Sequence, residues 1–167
     1  MNDQMSVRLG LPLLQVGQAQ KEVSHNEALT LLDFAVQPVV EAVGLGAPPA
    51  SPDLGACWVV GPAPTGAWTG SGNAIAGWTS AGWRFLAARD GMTAWSRADS
   101  AFARFDGSHW RVGEITGAGV FVSGHRVVGQ QQPPISVPTG GSMIDIEARA
   151  AFAAVLAALR SHGLIAA

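Results

Sequence analysis

The side chains with the most chemical potential in this 167-residue chain are six tryptophans, Trp58, Trp68, Trp78, Trp83, Trp95 and Trp110, in a sequence without tyrosine. An indole face can stack on the apolar face of a pyranose, so the set invites a sugar-binding reading, although in a small β domain indoles are also the bulkiest core fillers. Trp68 is the one expected at the surface, because Thr65-Gly-Ala-Trp68-Thr-Gly70-Ser-Gly72 reads as a loop with little else to pack. A glycan contact there would draw its hydrogen bonds from Asn73, Arg84 or Asp90.

Other chemistries find less material. Glycan hydrolysis needs two facing carboxylates, and the candidates are Asp90, Asp99, Asp106 and Glu114, of which Asp90-Gly91 and Asp106-Gly107 read as turns. No catalytic residue is assigned, and the chain is read as a non-enzyme. His25, His109, His125 and His162 are scattered, without the short spacings or cysteine companions of a zinc site, so no metal is expected. The single cysteine, Cys57, precludes an intrachain disulfide and sits in the apolar run Ala56-Cys57-Trp58-Val59-Val60 as a buried strand residue. There is no Gly-x-Ser-x-Gly elbow, and the glycine-rich stretch from Gly66 to Gly72 lacks the Lys-Ser/Thr ending of a phosphate loop. No cofactor is implied. Arg84, Arg89, Arg97, Arg104 and Arg111 read as a solvated or interface face.

The elements that must position these residues follow from periodicity and punctuation. Residues 1–23 form an extended arm, since Gly10, Pro12 and Gly17 interrupt any period. Ser24-His-Asn-Glu27 has capping-box spacing and predicts a short helix from about His25 to Asp33, with Ala28, Leu29, Leu31 and Leu32 as its packing face. Pro38 confines the β-branched segment from Phe34 to Val43 to a sheet edge or bulge. From Ala56 onward, short apolar runs separated by Gly, Pro, Ser and Asp predict an all-β region. Two stretches 27 residues apart match in pattern, Gly77-Trp-Thr-Ser-Ala-Gly-Trp83-Arg-Phe85 and Arg104-Phe-Asp-Gly-Ser-His-Trp110-Arg-Val112, each predicting a tight hairpin with cross-strand aromatics. A last β pair, Val120 to Gly129, is expected to close the sheet region, which spans residues 24–129. Residues 130–142 form a Pro/Gly/Gln linker, and residues 143–167 a separate helix capped by Asp145, with Glu147 and Arg160 suiting its dipole and Gly163 ending it. The fold class is therefore mainly β, a small antiparallel barrel or sandwich with a short amino-terminal helix and a carboxyl-terminal α-helix after the linker.

Composition points to assembly. Charged residues are 13% against a usual ~25%, so little of the surface is suited to keeping a monomer apart. The terminal helix carries the stripe Phe152, Val155, Leu156 and Leu159, and alanines fill its other faces in place of charge, as in helices that are buried. With Leu11, Leu13 and Leu14 of the arm, this stripe forms the expected assembly interface, and a homo-oligomer is expected. A net charge of −2 with one lysine, Lys21, argues against nucleic acid as a partner. No apolar run approaches the ~18 residues of a membrane span, and the start lacks the core of a secretory signal, so membrane insertion is not expected and synthesis is expected in the cytoplasm.

The run Leu11-Pro-Leu-Leu-Gln15-Val-Gly-Gln-Ala-Gln20-Lys-Glu-Val-Ser-His25-Asn-Glu-Ala-Leu29 resembles the opening of an uncharacterised family, a domain of unknown function found in bacterial prophages and gene transfer agents among tail-fibre and head-spike genes. The Pro-rich loop before Cys57-Trp58, Thr65-Gly-Ala-Trp68, Trp83-Arg-Phe85 and the terminal Glu147-Ala-Arg149 to Ile165 segment look like parts of such proteins, while the family's usual Asp-Arg-Tyr at the start of the β region is replaced by Ala56-Cys57-Trp58. The resemblance implies a virion location and partners among capsid or tail proteins and an adhesion fibre. It implies a structural base or adaptor of a head spike or tail fibre. The alternative is a carbohydrate-binding adhesin that touches host polysaccharide through Trp68.

Overall fold

The computed structural model of the chain describes residues 5–15, 17, 21–137, 139–140, 145–162 and 164–166. Among these residues it is mostly β, with ten strands in three sheets and one α-helix near each end, and the chain divides into two compact units, Met1–Glu114 and Ile115–Ala167.

In the first unit, helix α1 spans Lys21–Ala35. The expected start at Ser24 is corrected: Lys21 and Glu22 are good helix formers, Glu22 suits the positive first turn, and Ser24 therefore lies inside the helix. Glu27, freed from a capping role, pairs with Arg84 at 2.8 Å. The buried residues of α1 are Asp33 and Phe34, whereas Leu32 of the expected packing face is exposed. A left-handed Gln37, φ 46°, followed by Pro38 stops the helix.

Strands β1 (Val39–Val40) and β2 (Val43–Leu45) then pass to two different sheets as edge strands, which agrees with the limit set by Pro38. β2 pairs in parallel with β3 (Cys57–Val60), which continues antiparallel through β4 (Ile75–Thr79) and β5 (Gly82–Leu86). β1 pairs in parallel with β6 (Thr93–Ser96), which continues antiparallel through β7 (Ala101–Phe105) and β8 (Trp110–Val112). Each sheet is thus one parallel edge strand plus a three-stranded meander, and the 27-residue repeat coincides with the β4–β5 and β7–β8 hairpins. Their aromatic pairs face each other across the strands, Trp78 with Trp83 and Phe105 with Trp110, and Gly82 (φ 99°) and Gly107 (φ 91°) supply the positive backbone angles of the turns.

The two four-stranded sheets form a sandwich-like arrangement and not a closed barrel, because both ladders end in free edges. Phe34, Val40, Cys57, Val59, Ile75 and Ala94 make a core drawn from α1 and both sheets. Period-two alternation sends the other side chains of β3 and β4 to the opposite face, where Trp58, Val60 and Ala76 are buried as well. A 3₁₀ turn, Gly66–Trp68, covers that face, so β3 is apolar and buried at all four positions.

In the second unit, strands β9 (Val120–Val122) and β10 (His125–Val128) form a two-stranded sheet of their own. The expectation that this pair closes the main sheet region is corrected: its hydrogen bonds run between its own strands, and all seven strand residues are exposed. Helix α2 spans Ile146–Ser161, and Asp145 Oδ1 accepts from Ala148 N at 2.8 Å as its cap. Gly163, read as the helix stop, lies outside the described residues, as do Val16 and residues 18–20 of the opening run. The linker does not run free of the helix. Gln132 bridges Ile165 in parallel, Arg160 donates to the Ile135 carbonyl, and Leu156 and Ile165 are buried.

Candidate functional site

The loop that was expected to present Trp68 to solvent does the reverse. The 3₁₀ turn folds the indole onto the sheet, where it is 0% exposed, 5.2 Å from the ring of Trp83 and 6.4 Å from that of Trp58. Trp83 in turn sits 4.9 Å from Trp78, so four indoles form one cluster in tilted and edge-to-face contacts. The other residues of the loop are small, so Trp68 is its large apolar group, and it packs on Trp58, Val60 and Ala76 at that face of the sheet. Of its three proposed companions, Asn73 and Arg84 are also structural. Asn73, left-handed at φ 64°, donates to the Ser108 carbonyl at 3.3 Å and accepts from Trp110 Nε1 at 2.8 Å through its own carbonyl, tying the loops of the two sheets. Arg84 holds α1 to β5 through Glu27. Trp68, Asn73 and Arg84 therefore do not assemble a glycan site.

The amino-terminal arm is bound to its own unit. Asp33, 1% exposed, accepts from Ser6 Oγ at 2.7 Å, Arg8 N at 2.9 Å and Leu9 N at 2.7 Å, and the Arg8 guanidinium returns a bond to the Asp33 carbonyl at 2.5 Å. Asn26 closes the same clasp further along, accepting from Leu14 N and donating to Leu14 O. Leu11, Leu13 and Leu14 are half-buried as a result. In α2 the expected stripe divides by exposure. Leu156 is 7% exposed and Leu159 half-buried, while Phe152 at 61% and Val155 at 54% face away.

Of the four carboxylates weighed for catalysis, Asp106 and Asp99 are engaged in structure. Asp106 accepts from the backbone of His109 and Ser108 and from Arg111 Nε at 2.8 Å; the His109 amide first, then Arg111, holds its carboxyl well below the usual range. Asp99 accepts from the buried Ser96 hydroxyl at 2.5 Å. Burial pushes the Cys57 thiol up to about 11, against the opposing influence of Arg8, so it stays protonated and unreactive. Among the described residues no group of three or more His, Cys, Asp or Glu side chains converges as metal ligands. Likewise, no helix of the described residues is long and apolar enough to cross a membrane.

The sequence reading missed an exposed aromatic pair. On β6 and β7 the inward positions are Ala94, Ser96, Ala103 and Phe105, so alternation turns Trp95 and Phe102 outward, 36% and 64% exposed with ring centroids 5.0 Å apart. The signal was present: the alanines Ala94 and Ala103 sit at period two with Ser96 and Phe105, which fixes the opposite phase for Trp95 and Phe102.

A family described as protein of unknown function (DUF2793) matches residues 25–111, more than half of the chain. The chain belongs to this family. The match runs from within α1 to within β8, so the DUF2793 domain is the helix with its two meanders, and the second unit lies outside it. No curated protein and no solved structure matches the chain.

Proposed function

We propose that this DUF2793 chain is a non-enzymatic structural subunit of a phage-like particle, a base or adaptor that joins the particle to a host-adhesion fibre, and that its second unit is the assembly device. One observation carries the reading. Of the described large hydrophobic side chains in the second unit, only Leu156 and Ile165 are buried, while Phe121, Val122, Val127, Ile146, Phe152 and Val155 lie exposed. Such a unit, about a third of the chain, has too little core to hold its own fold against conformational entropy, which small domains offset with metals, disulfides or association. It holds neither a disulfide nor, among its described residues, a metal-ligand cluster, so association remains. Other copies of the chain, or a neighbouring particle protein, would bury the hairpin and the Phe152–Val155 face. The particle context rests on the resemblance of the opening run, and the low charge content agrees with a subunit buried in an assembly.

The test is protein mass spectrometry on density-purified phage-like particles from the producing strain, compared with a strain whose copy ends after Glu114. Peptides of the full chain should copurify with particles at a fixed stoichiometry, and the truncated chain should be lost from them together with the adhesion fibre. Particles that carry the fibre normally without the second unit would contradict the proposal.

A further inference from the structure

The exposed Trp95–Phe102 pair belongs to a pattern on the outer face of the β1-β6-β7-β8 sheet that the connector reading does not use. Register places Val39, Trp95 and Phe102 in one row across three neighbouring strands, and the row ends at Gly113, whose amide donates to the Phe102 carbonyl at 2.9 Å. A Cβ at Gly113 would meet only Ala101, at 4.0 Å, so no side chain covers the open flank of Phe102 there. A second row lies two residues along the same face, Thr93, Arg104 and Arg111. Strand rise separates the rows by ~7 Å, and successive members within each row are ~4.8 Å apart.

The cationic row is unbalanced. Arg111 is paired with Asp106 at 2.8 Å, but the Arg104 guanidinium has no hydrogen-bond or ion-pair partner among the described residues. Two arginines directly opposite on adjacent strands destabilise a sheet, and an anion bound between them would relieve that repulsion. An apolar line beside a parallel cationic line suits a ligand that is itself two-sided, with ring faces for stacking and carboxylates along one edge.

We infer that this face binds an extended anionic polysaccharide of the uronate class, with the more exposed Phe102 ring stacking on a sugar ring, Trp95 supporting it edge-on at an interplanar angle of 78°, and Arg104, assisted by Arg111 and Thr93, taking the carboxylates. The arginines, read from sequence as a solvated or interface face, are here a ligand face. The inference is independent of the assembly role of the second unit.

The experiment is affinity electrophoresis and titration calorimetry of the full chain against polygalacturonate, alginate and hyaluronate, with neutral dextran as control. At least one uronate polymer should retard the protein, with an affinity that falls as salt is raised, and dextran should not. Phe102→Ala and Arg104→Gln, both at exposed or half-exposed positions and checked for unchanged thermal midpoint, should each weaken binding at least tenfold. Binding to none of the three polymers, or binding unaltered by both substitutions, would overturn the inference. So would a fall in the mass of the native assembly on Phe102→Ala, because the face would then be a contact between copies. A full chain that binds a uronate polymer but is absent from the particles would instead count against the connector reading alone.

Discussion

Gly77 shows how one missing side chain sets the geometry of the sandwich. It lies on β4 where the Phe34 ring descends from α1, and a Cβ built there would stand 2.4 Å from the ring's Cζ. Phe34 is 1% exposed and packed among Val40, Cys57, Val59 and Ile75, so the ring has nowhere to move. Gly77→Ala is therefore expected to cost about 1–3 kcal/mol of unfolding free energy by overpacking. Combining it with Phe34→Leu should recover part of that loss, because the two residues are in contact and their effects are not additive. Denaturant midpoints of the two single variants and the double variant check this, and a neutral Gly77→Ala would refute the packing argument. Trp68 and Trp95 teach the complementary lesson. The loop residue is the most buried of the six indoles and the strand residue is exposed, because burial follows which sheet face lacks cover and not whether a residue lies in a loop.

At the scale of elements, the arm and α1 behave as one piece. The Asp33 carboxylate gathers two consecutive backbone amides, Arg8 and Leu9, together with the Ser6 hydroxyl, in a site closed to water. Asp33→Ala leaves those donors without their charged acceptor, and a loss on the order of 3 kcal/mol is expected from hydrogen bonds to a buried charge. Hydrogen exchange should show the amides of Arg8 and Leu9 losing protection before those of β3; equal protection in variant and parent would contradict the clasp. Much of the element order was legible. The two hairpins announced themselves through their spacing and their Gly82 and Gly107 turns, Pro38 placed β1 at an edge, and Asp145 marked the start of α2. Three features were not legible, the first because local helix propensity outran a capping signal and the other two because they depend on long-range contact. Ser24 had capping-box spacing, but helix-forming Lys21 and Glu22 carried the helix past it. The strand pair β9–β10 had hairpin texture, which says nothing about the sheet a hairpin joins. The arm read as extended because its bonds go to Asn26 and Asp33, residues too distant in sequence for any local period to show.

For the whole molecule, the two units differ in kind. The first has a core shared by α1 and two sheets and contains the DUF2793 match, whereas the second exposes most of its large apolar side chains. That asymmetry is the basis of the assembly reading, and mass in solution addresses it most directly. Light scattering should be recorded on the full chain of 17.2 kDa and on a chain ending at Glu114, which retains the whole sandwich core. A defined oligomer is expected for the full chain and a cooperatively folding monomer for the shorter one. A full chain that stays monomeric at micromolar concentration with α2 and the β9–β10 hairpin protected from exchange would contradict it, since the second unit would then be holding its fold without a partner.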